Sequence, residues 1–313
     1  MKYPIGIQDF EKIRQGGFVY VDKTALVYDL VSRGRIYFLS RPRRFGKSLL
    51  VSTLKYYFQG CKDLFKGLAI DSLEREWKEY PVFHFSFGTS NYTKSGSLDD
   101  VIEKYLSKYE EEYNISSERK DYGLRLQDIL RAAHKKSGCR AVVLIDEYDK
   151  PLLDVMNTGY KGMQNGQELP LEEINRNILK GFYSVFKDAD EDLQFVLLTG
   201  VTKFSQVSVF SGFNQPNDIS NDCRYSALCG ITKEELLSVF KEQIKELGEA
   251  NGMTEEETIE KLKRKYDGYH FSENMLDTFN PFSLLNCFEK KKFKDYWFST
   301  GTPTYLVRLL SDN

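Results

Sequence analysis

The sequence predicts an α/β protein in three layers, with a mostly parallel central sheet between helices and a small helical subdomain behind it. Three observations carry this. Short apolar runs alternate with longer amphipathic stretches, the mark of strands joined by crossover helices. The run 141–145 (Ala-Val-Val-Leu-Ile) has no polar interruption, as a strand buried on both faces requires. From Thr232 onward the strand signals stop and helix-start signals take over.

The predicted strands are 36–39, 82–87 with period-two alternation, 141–145, 195–198 and a fifth at 224–229. Between the third and fourth, Ile174, Ile178, Phe182, Val185 and Phe186 share one helix face and pack on the sheet. The segment 157–170 carries Gly159, Gly162 and Gly166 and reads as a long mobile loop, either a lid or an insertion. Thr232-Lys233-Glu234-Glu235 and Thr254-Glu255-Glu256-Glu257 both fit the capping box, in which Thr and Glu satisfy each other's backbone N–H. Leu237, Phe240, Ile244 and Leu247 then form a stripe ending at Gly248 as a C-cap. A boundary near residue 230 divides a core (1–230) from the helical subdomain (231–313).

The chain has 313 residues, and 41% hydrophobic content supports a real core rather than a disordered tail. Lys+Arg 44 against Asp+Glu 46 leaves a net charge of −2, so no global field draws it to nucleic acid or membrane. Lys290-Lys291-Lys292 is a local basic run, more often a solvated face than a nucleic-acid contact. Five Cys without a C-x-x-C pair fit neither a zinc ribbon nor a disulfide framework and point to a reducing cytoplasm. No signal-peptide core opens the sequence, and no apolar run reaches the ~18 residues of a membrane helix. His84, His134 and His270 have no Cys or acid at ligand spacing, and no G-x-S-x-G elbow is present. Tyr266-Asp267-Gly268-Tyr269-His270-Phe271 reads as a helix end and turn whose aromatics are core.

The chemistry begins at Arg41-Pro42-Arg43-Arg44-Phe45-Gly46-Lys47-Ser48, between the first strand and the amphipathic run Leu49, Leu50, Leu54, Tyr57 and Phe58. A turn before a helix N-terminus offers unpaired N–H groups and a positive dipole end to phosphate. The amides of Arg43, Arg44, Phe45, Gly46, Lys47, Ser48 and Leu49 are the candidate cradle. Gly46 permits close approach, Lys47 reaches the β- and γ-phosphates, and Ser48 offers its hydroxyl to Mg²⁺. The general pattern wants glycine where Arg41 stands, and arginine tolerates positive φ poorly. The arginines either add charge to the phosphates or point into solvent.

The strand 141–145 runs into Asp146-Glu147-Tyr148-Asp149. This puts a carboxylate at the carboxyl edge of the sheet, where open α/β sheets bind ligands. Asp146 is the candidate metal ligand with Ser48, and Glu147 the group that orients or deprotonates water. Asp149 is a helix cap or a support behind them. Thr199, in Leu197-Leu198-Thr199-Gly200-Val201-Thr202-Lys203, either touches the γ-phosphate or water or caps its strand. Arg224 is either a charge-neutralising arginine or half of a surface ion pair.

These motifs, with Pro4-Ile5-Gly6-Ile7-Gln8-Asp9-Phe10, Tyr20-Val21-Asp22-Lys23-Thr24, Asp146-Glu147-Tyr148-Asp149-Lys150-Pro151, Tyr266-Asp267-Gly268-Tyr269 and Ser299-Thr300-Gly301-Thr302-Pro303, span nearly the full length. The whole resembles the bacterial AAA-ATPase-like family, whose members often carry a C-terminal PD-(D/E)xK-type nuclease domain and whose own phosphate loop reads Arg-Pro-Arg-Arg. The resemblance implies a P-loop ATPase of the additional-strand type, with a strand inserted between the phosphate-loop strand and the acidic strand, plus a helical lid. It also implies that Asp22 and Lys23 lie near the nucleotide base. The aromatic run Tyr296, Trp297, Phe298, Tyr305 and Leu306 reads as an interface with a missing nuclease-like half, the chain being either truncated or a short natural member. The expected function is Mg²⁺-dependent ATP hydrolysis that regulates an attached or partner domain. The rival is a nucleotide-gated binding module with little hydrolysis. An oligomer supplying an arginine from a neighbour is left open.

Overall fold

The computed structural model describes residues 1–202, 216–267 and 276–297. Its strands in chain order are β1 (Ile36–Ser40), β2 (Val82–Ser86), β3 (Ala141–Asp146), β4 (Lys161–Gln164), β5 (Gln167–Pro170), β6 (Leu193–Gly200), β7 (Asn217–Asp218), β8 (Ile231–Thr232) and β9 (Thr278–Phe279). Five of them form the central sheet in the order β2-β3-β6-β1-β7, every pair parallel. β6 therefore lies between the phosphate-loop strand β1 and the acidic strand β3, as the additional-strand arrangement requires.

Alternation along the strands builds the three layers. Phe38, Phe83, Phe85, Val143, Ile145, Val196 and Leu198 face one side, under the helices Ser97–Tyr113, Tyr122–Ser137 and Leu171–Tyr183. Tyr37, Leu39, Val142, Leu144, Phe195 and Leu197 face the other, under Thr24–Arg33 and Lys47–Phe58. Each such buried side chain contributes roughly 1.5–3 kcal/mol. Of the stripe, Phe182, Val185 and Phe186 pack in the first of these clusters, with a break at Ser184 between two helices, whereas Ile174 packs with Val155 and Leu171 instead. A third cluster gathers Ile231, Leu236, Phe240, Ile244, Leu262, Leu284 and Phe288 with Tyr3, Ile5, Val19 and Val21 of the N-terminal segment. Both capping boxes are formed.

Three expectations are corrected. The segment 157–170 is not a structureless loop: β4 and β5 pair antiparallel around Asn165 (φ 52°) and Gly166 (φ 80°), whose two left-handed residues match a tight hairpin turn. The fifth strand is not 224–229. Cys223–Tyr225 is a 3-10 turn, and the edge position beside β1 is taken by β7, pairing Asn217 and Asp218 with Tyr37 and Phe38. Gly248 does not end its helix. It is buried inside Lys241–Asn251, where a Cβ would meet Thr258 Oγ1 at 2.8 Å, and Gly252 (φ 64°) is the C-cap. Phe240, Ile244 and Leu247 of that stripe are fully buried, but Leu237 is exposed and Leu236 takes the buried place beside them.

Candidate functional site

Parallel strands end together, so the sheet register decides which side chains meet. Ser40 pairs with Gly200, Ile145 with Leu198 and Ser86 with Asp146, which aligns the carboxyl ends of β1, β6, β3 and β2 in one row. The loop 41–46 leaves this row and enters the helix Lys47–Phe58, which packs back against β3 and β6.

The loop solves its missing first glycine by moving the unusual torsion. Left-handed φ falls on Arg44 (67°) and Gly46 (93°), and Arg41 has none. A Cβ at Gly46 would meet nothing within 4 Å, so that glycine is needed for its torsion rather than for space. Arg41 neither reaches outward nor faces solvent. It is 1% exposed, and Nη1 donates to the Ser40 carbonyl (2.9 Å) and the Ser220 carbonyl (2.7 Å). Arg41 thus braces the loop from beneath. The exposed Arg44 guanidinium lies 4.9 Å from the Phe282 ring centre. Arg43 is half-buried, and its charge reaches Glu147. Its carbonyl accepts the Trp297 indole N–H at 3.1 Å. Phe45 is fully buried, its carbonyl accepting from Gly230 N (3.1 Å). Leu49 is half-buried on the following turn.

Lys47 is 6% exposed, and its ammonium donates to the carbonyls of Arg41 (2.9 Å) and Pro42 (3.0 Å). Burial pushes its pKa down, against the fields of Asp146, Asp149, Cys229 and Glu147. Lys47 therefore shares one low-dielectric space with the acidic end of β3, and its hydrogen bonds are to groups that carry no net charge. Ser48 is half-buried in the first helical turn, and among the described residues its hydroxyl has no hydrogen-bond partner.

Two of the three acids have their own support. Asp146 is buried, and Thr199 Oγ1 donates to its Oδ1 at 2.6 Å. Thr199 is itself fully buried, so its hydroxyl orients this carboxylate rather than reaching outward. Asp149 Oδ2 accepts from the N–H groups of Val201 (2.9 Å) and Thr202 (2.7 Å) and from Thr202 Oγ1 (2.6 Å). It pins the segment after β6 and makes no cap bond to its own helix. Burial raises the Asp149 pKa. Glu147 takes φ 55°, a left-handed torsion that costs an L-residue about 1–2 kcal/mol. No hydrogen bond to its carboxylate is formed among the described residues, and its pKa is raised by burial first and by Asp146 second. A strained, partly desolvated acid without donors is suited to accept a proton.

The remaining predicted residues fall in three places. Asp22 does structural work, Oδ1 accepting from Thr24 N (2.8 Å) and Thr24 Oγ1 (2.6 Å) and Oδ2 from Ala69 N (2.7 Å). Lys23 forms an ion pair with Glu235, 2.5 Å and 2.6 Å to the two oxygens, and burial lowers its pKa. It also lines a partly open cavity of about 100 Å³ with Val21, Gly46, Leu49, Leu228 and Phe240, almost wholly apolar. Arg224 is not brought to the row. Its guanidinium pairs with Asp222 (2.5 Å) on the exposed 3-10 turn and lies over Tyr225. Lys203, Gly268, Tyr269, His270, Phe271, Phe298, the 299–303 motif, Tyr305 and Leu306 lie outside the described residues. Among the described residues no helix is long and apolar enough to cross a membrane.

Sequence reasoning missed three participants. Trp297 meets the phosphate loop from 254 positions away. The cavity wall at Leu228 and Phe240 comes from segments with only core-like signals. Gly88 abuts Glu147, and no local pattern marks it.

Comparison with known proteins fits this geometry. The family model described as predicted AAA-ATPase matches residues 4–210, a span that holds the loop, both acids and Thr199. The chain belongs to the AAA-ATPase-like family. An AAA-ATPase-like chain is similar to a protein of Azotobacter chroococcum mcd 1 described as an uncharacterized protein in the vnfD 5′ region, 41% identical over 315 residues. The alignment takes in 99% of this chain and 56% of that relative, so the chain spans little more than half the relative's length. No solved structure matches the chain.

Proposed function

We propose that this AAA-ATPase-like chain binds ATP at the carboxyl edge of its sheet and hydrolyses the terminal phosphate bond. The observation that supports this most is the buried Lys47 ammonium, bonded among the described residues only to its own loop carbonyls while lying in the field of Asp146, Asp149 and Glu147. Such a cation gains most from an anionic guest that brings its own counter-charge.

The residues fit Mg²⁺: the Ser48 hydroxyl, without a hydrogen-bond partner among the described residues, and a carboxylate at Asp146 held by Thr199 are hard oxygen donors. The ion would neutralise charge on the phosphates. Lys47 exchanges the Arg41 and Pro42 carbonyls for phosphate oxygens, and the first-turn amides complete the cradle. Thr199 keeps Asp146 in one orientation. Glu147 takes the proton of the attacking water, its raised pKa bringing it nearer to neutrality, where a base is most effective. The apolar cavity beside Gly46 and Leu49 takes the base, with Lys23, paired to Glu235, at its wall.

Steady-state phosphate release and nucleotide binding test this. Glu147→Gln should bind ATP and lose turnover, and Lys47→Ala should lose binding. Unchanged hydrolysis in the first, or retained affinity in the second, rejects the assignment. We further propose that turnover regulates an additional domain or partner, a nuclease-like one being what the resemblance suggests, in the reducing cytoplasm.

A second reading, a nucleotide-gated switch with slow hydrolysis, is favoured by three contacts between loop or cavity and helical cluster: Trp297 to the Arg43 carbonyl, Arg44 over Phe282, and Lys23 to Glu235. A wild-type protein that binds ATP but releases no phosphate would select it.

A further inference from the structure

Gly88 sits in the 3-10 turn Phe87–Thr89 that follows β2, and its φ is not left-handed. Its backbone would therefore accept alanine, and the absence of a side chain must be explained by space. A Cβ built there meets Glu147 Oε2 at 2.9 Å, Cδ at 3.0 Å and Oε1 at 3.3 Å. All three nearest atoms belong to one carboxylate.

The other side of that carboxylate is equally constrained. Glu147 leaves its main chain at φ 55°, in a segment fixed by Lys150 N donating to the Glu147 carbonyl (3.1 Å) and Tyr148 N donating to the Thr199 carbonyl (3.0 Å). The direction in which the side chain departs is thus set by backbone that cannot relax cheaply. The neighbouring Gly200 offers a contrast, because there a Cβ would strike the buried Tyr148 ring and Asp149. A methyl group at Gly200 meets packed core. At Gly88 it meets only the tip of a flexible acid, which yields without disturbing the fold.

We propose that Gly88 is a positioning residue for hydrolysis: its bare Cα is the seat against which the Glu147 carboxylate is held in line with the attacking water. The inference rests on the ATPase reading for its consequence, and on geometry alone for the seat. Misplacing a reacting group by about 1 Å lowers rates by up to a hundredfold.

The test compares wild type, Gly88→Ala, Glu147→Asp and the double variant for phosphate release and ATP affinity, with a crystal structure of Gly88→Ala. Gly88→Ala should fold, bind ATP within about twofold of wild type and lose at least about tenfold in kcat. In the Glu147→Asp background, whose acid is one methylene shorter, the added methyl should change kcat less than about threefold. Equal losses in both backgrounds, or an unchanged kcat, overturn the proposal. In the crystal structure the carboxylate should be displaced, and a carboxylate in its original place overturns the seat whether or not the protein hydrolyses ATP. A wild type that binds ATP without releasing phosphate rejects the ATPase reading instead, and the crystal structure then decides the seat by itself.

Discussion

Two regions of this molecule bury a cation, and they treat it in opposite ways. Between the helices Ser97–Tyr113 and Tyr122–Ser137, Arg125 is forked onto Glu103 (2.5 and 2.9 Å) and Glu110 (2.7 and 2.8 Å), and its pKa is raised, first by the bond to Glu110. At the carboxyl edge of the sheet Lys47 is as buried, has three carboxylates in its field and touches none of them, and its pKa is lowered. The first arrangement gives each guanidinium nitrogen a fixed carboxylate partner and serves the fold. The second keeps charges of opposite sign apart, as the proposed nucleotide site would require if a third group is to come between them.

That contrast can be broken experimentally. The largest effect is expected for Glu147→Gln, which removes the base while keeping its shape. Turnover should fall by about 10²–10⁴ with ATP affinity kept, measured by phosphate release and equilibrium binding. Next is Arg125→Ala, which strands Glu110 and loosens two helices. It should cost about 2 kcal/mol in denaturant unfolding, below the usual figure for a buried pair because Glu103 is half-exposed. Arg125 also holds Glu103 below the usual carboxylate range. A depressed carboxylate stabilises the fold above its unfolded value and loses that contribution as pH falls through its folded one. The stability loss of wild type between about pH 5 and 3 should therefore flatten in Arg125→Ala.

Thr199→Val tests whether the orienting bond to Asp146 matters: about tenfold in turnover and little in ATP-free stability is expected. A loss of stability with normal turnover would make it a core bond. The smallest effect carries the sharpest sign. Lys47→Met removes a buried, ill-compensated charge, so the nucleotide-free protein should gain about 1 kcal/mol in unfolding free energy while losing ATP binding. Destabilisation comparable to Arg125→Ala would erase the distinction between the two regions.

How far the sequence reveals each part depends on where its information sits. The sheet was legible because strand burial is written locally, as in 141–145, and the loop and acids because they end such strands. The edge strand β7 was not, since Asn217 and Asp218 are polar and count as strand only by pairing with Tyr37 and Phe38. The hairpin signal Asn165-Gly166 was present but lay beside two other glycines, Gly159 and Gly162, that suggested a loop instead. In the candidate site, residue types and spacing pointed to Lys47, Ser48, Asp146 and Glu147. They could not show that Arg41 is bonded to Ser220, that Thr199 serves Asp146, or that Gly88 clears room for Glu147. Those are contacts between distant segments, and single-sequence patterns do not record them.

The indole bond from Trp297 to the Arg43 carbonyl spans 254 positions. During synthesis from the N-terminus, the ribosome must release the chain through Trp297 before that acceptor can be filled. A nascent chain that has already paired β1 with β6 still carries an unstrapped loop, so the finished geometry at Arg43 comes later than the sheet beneath it.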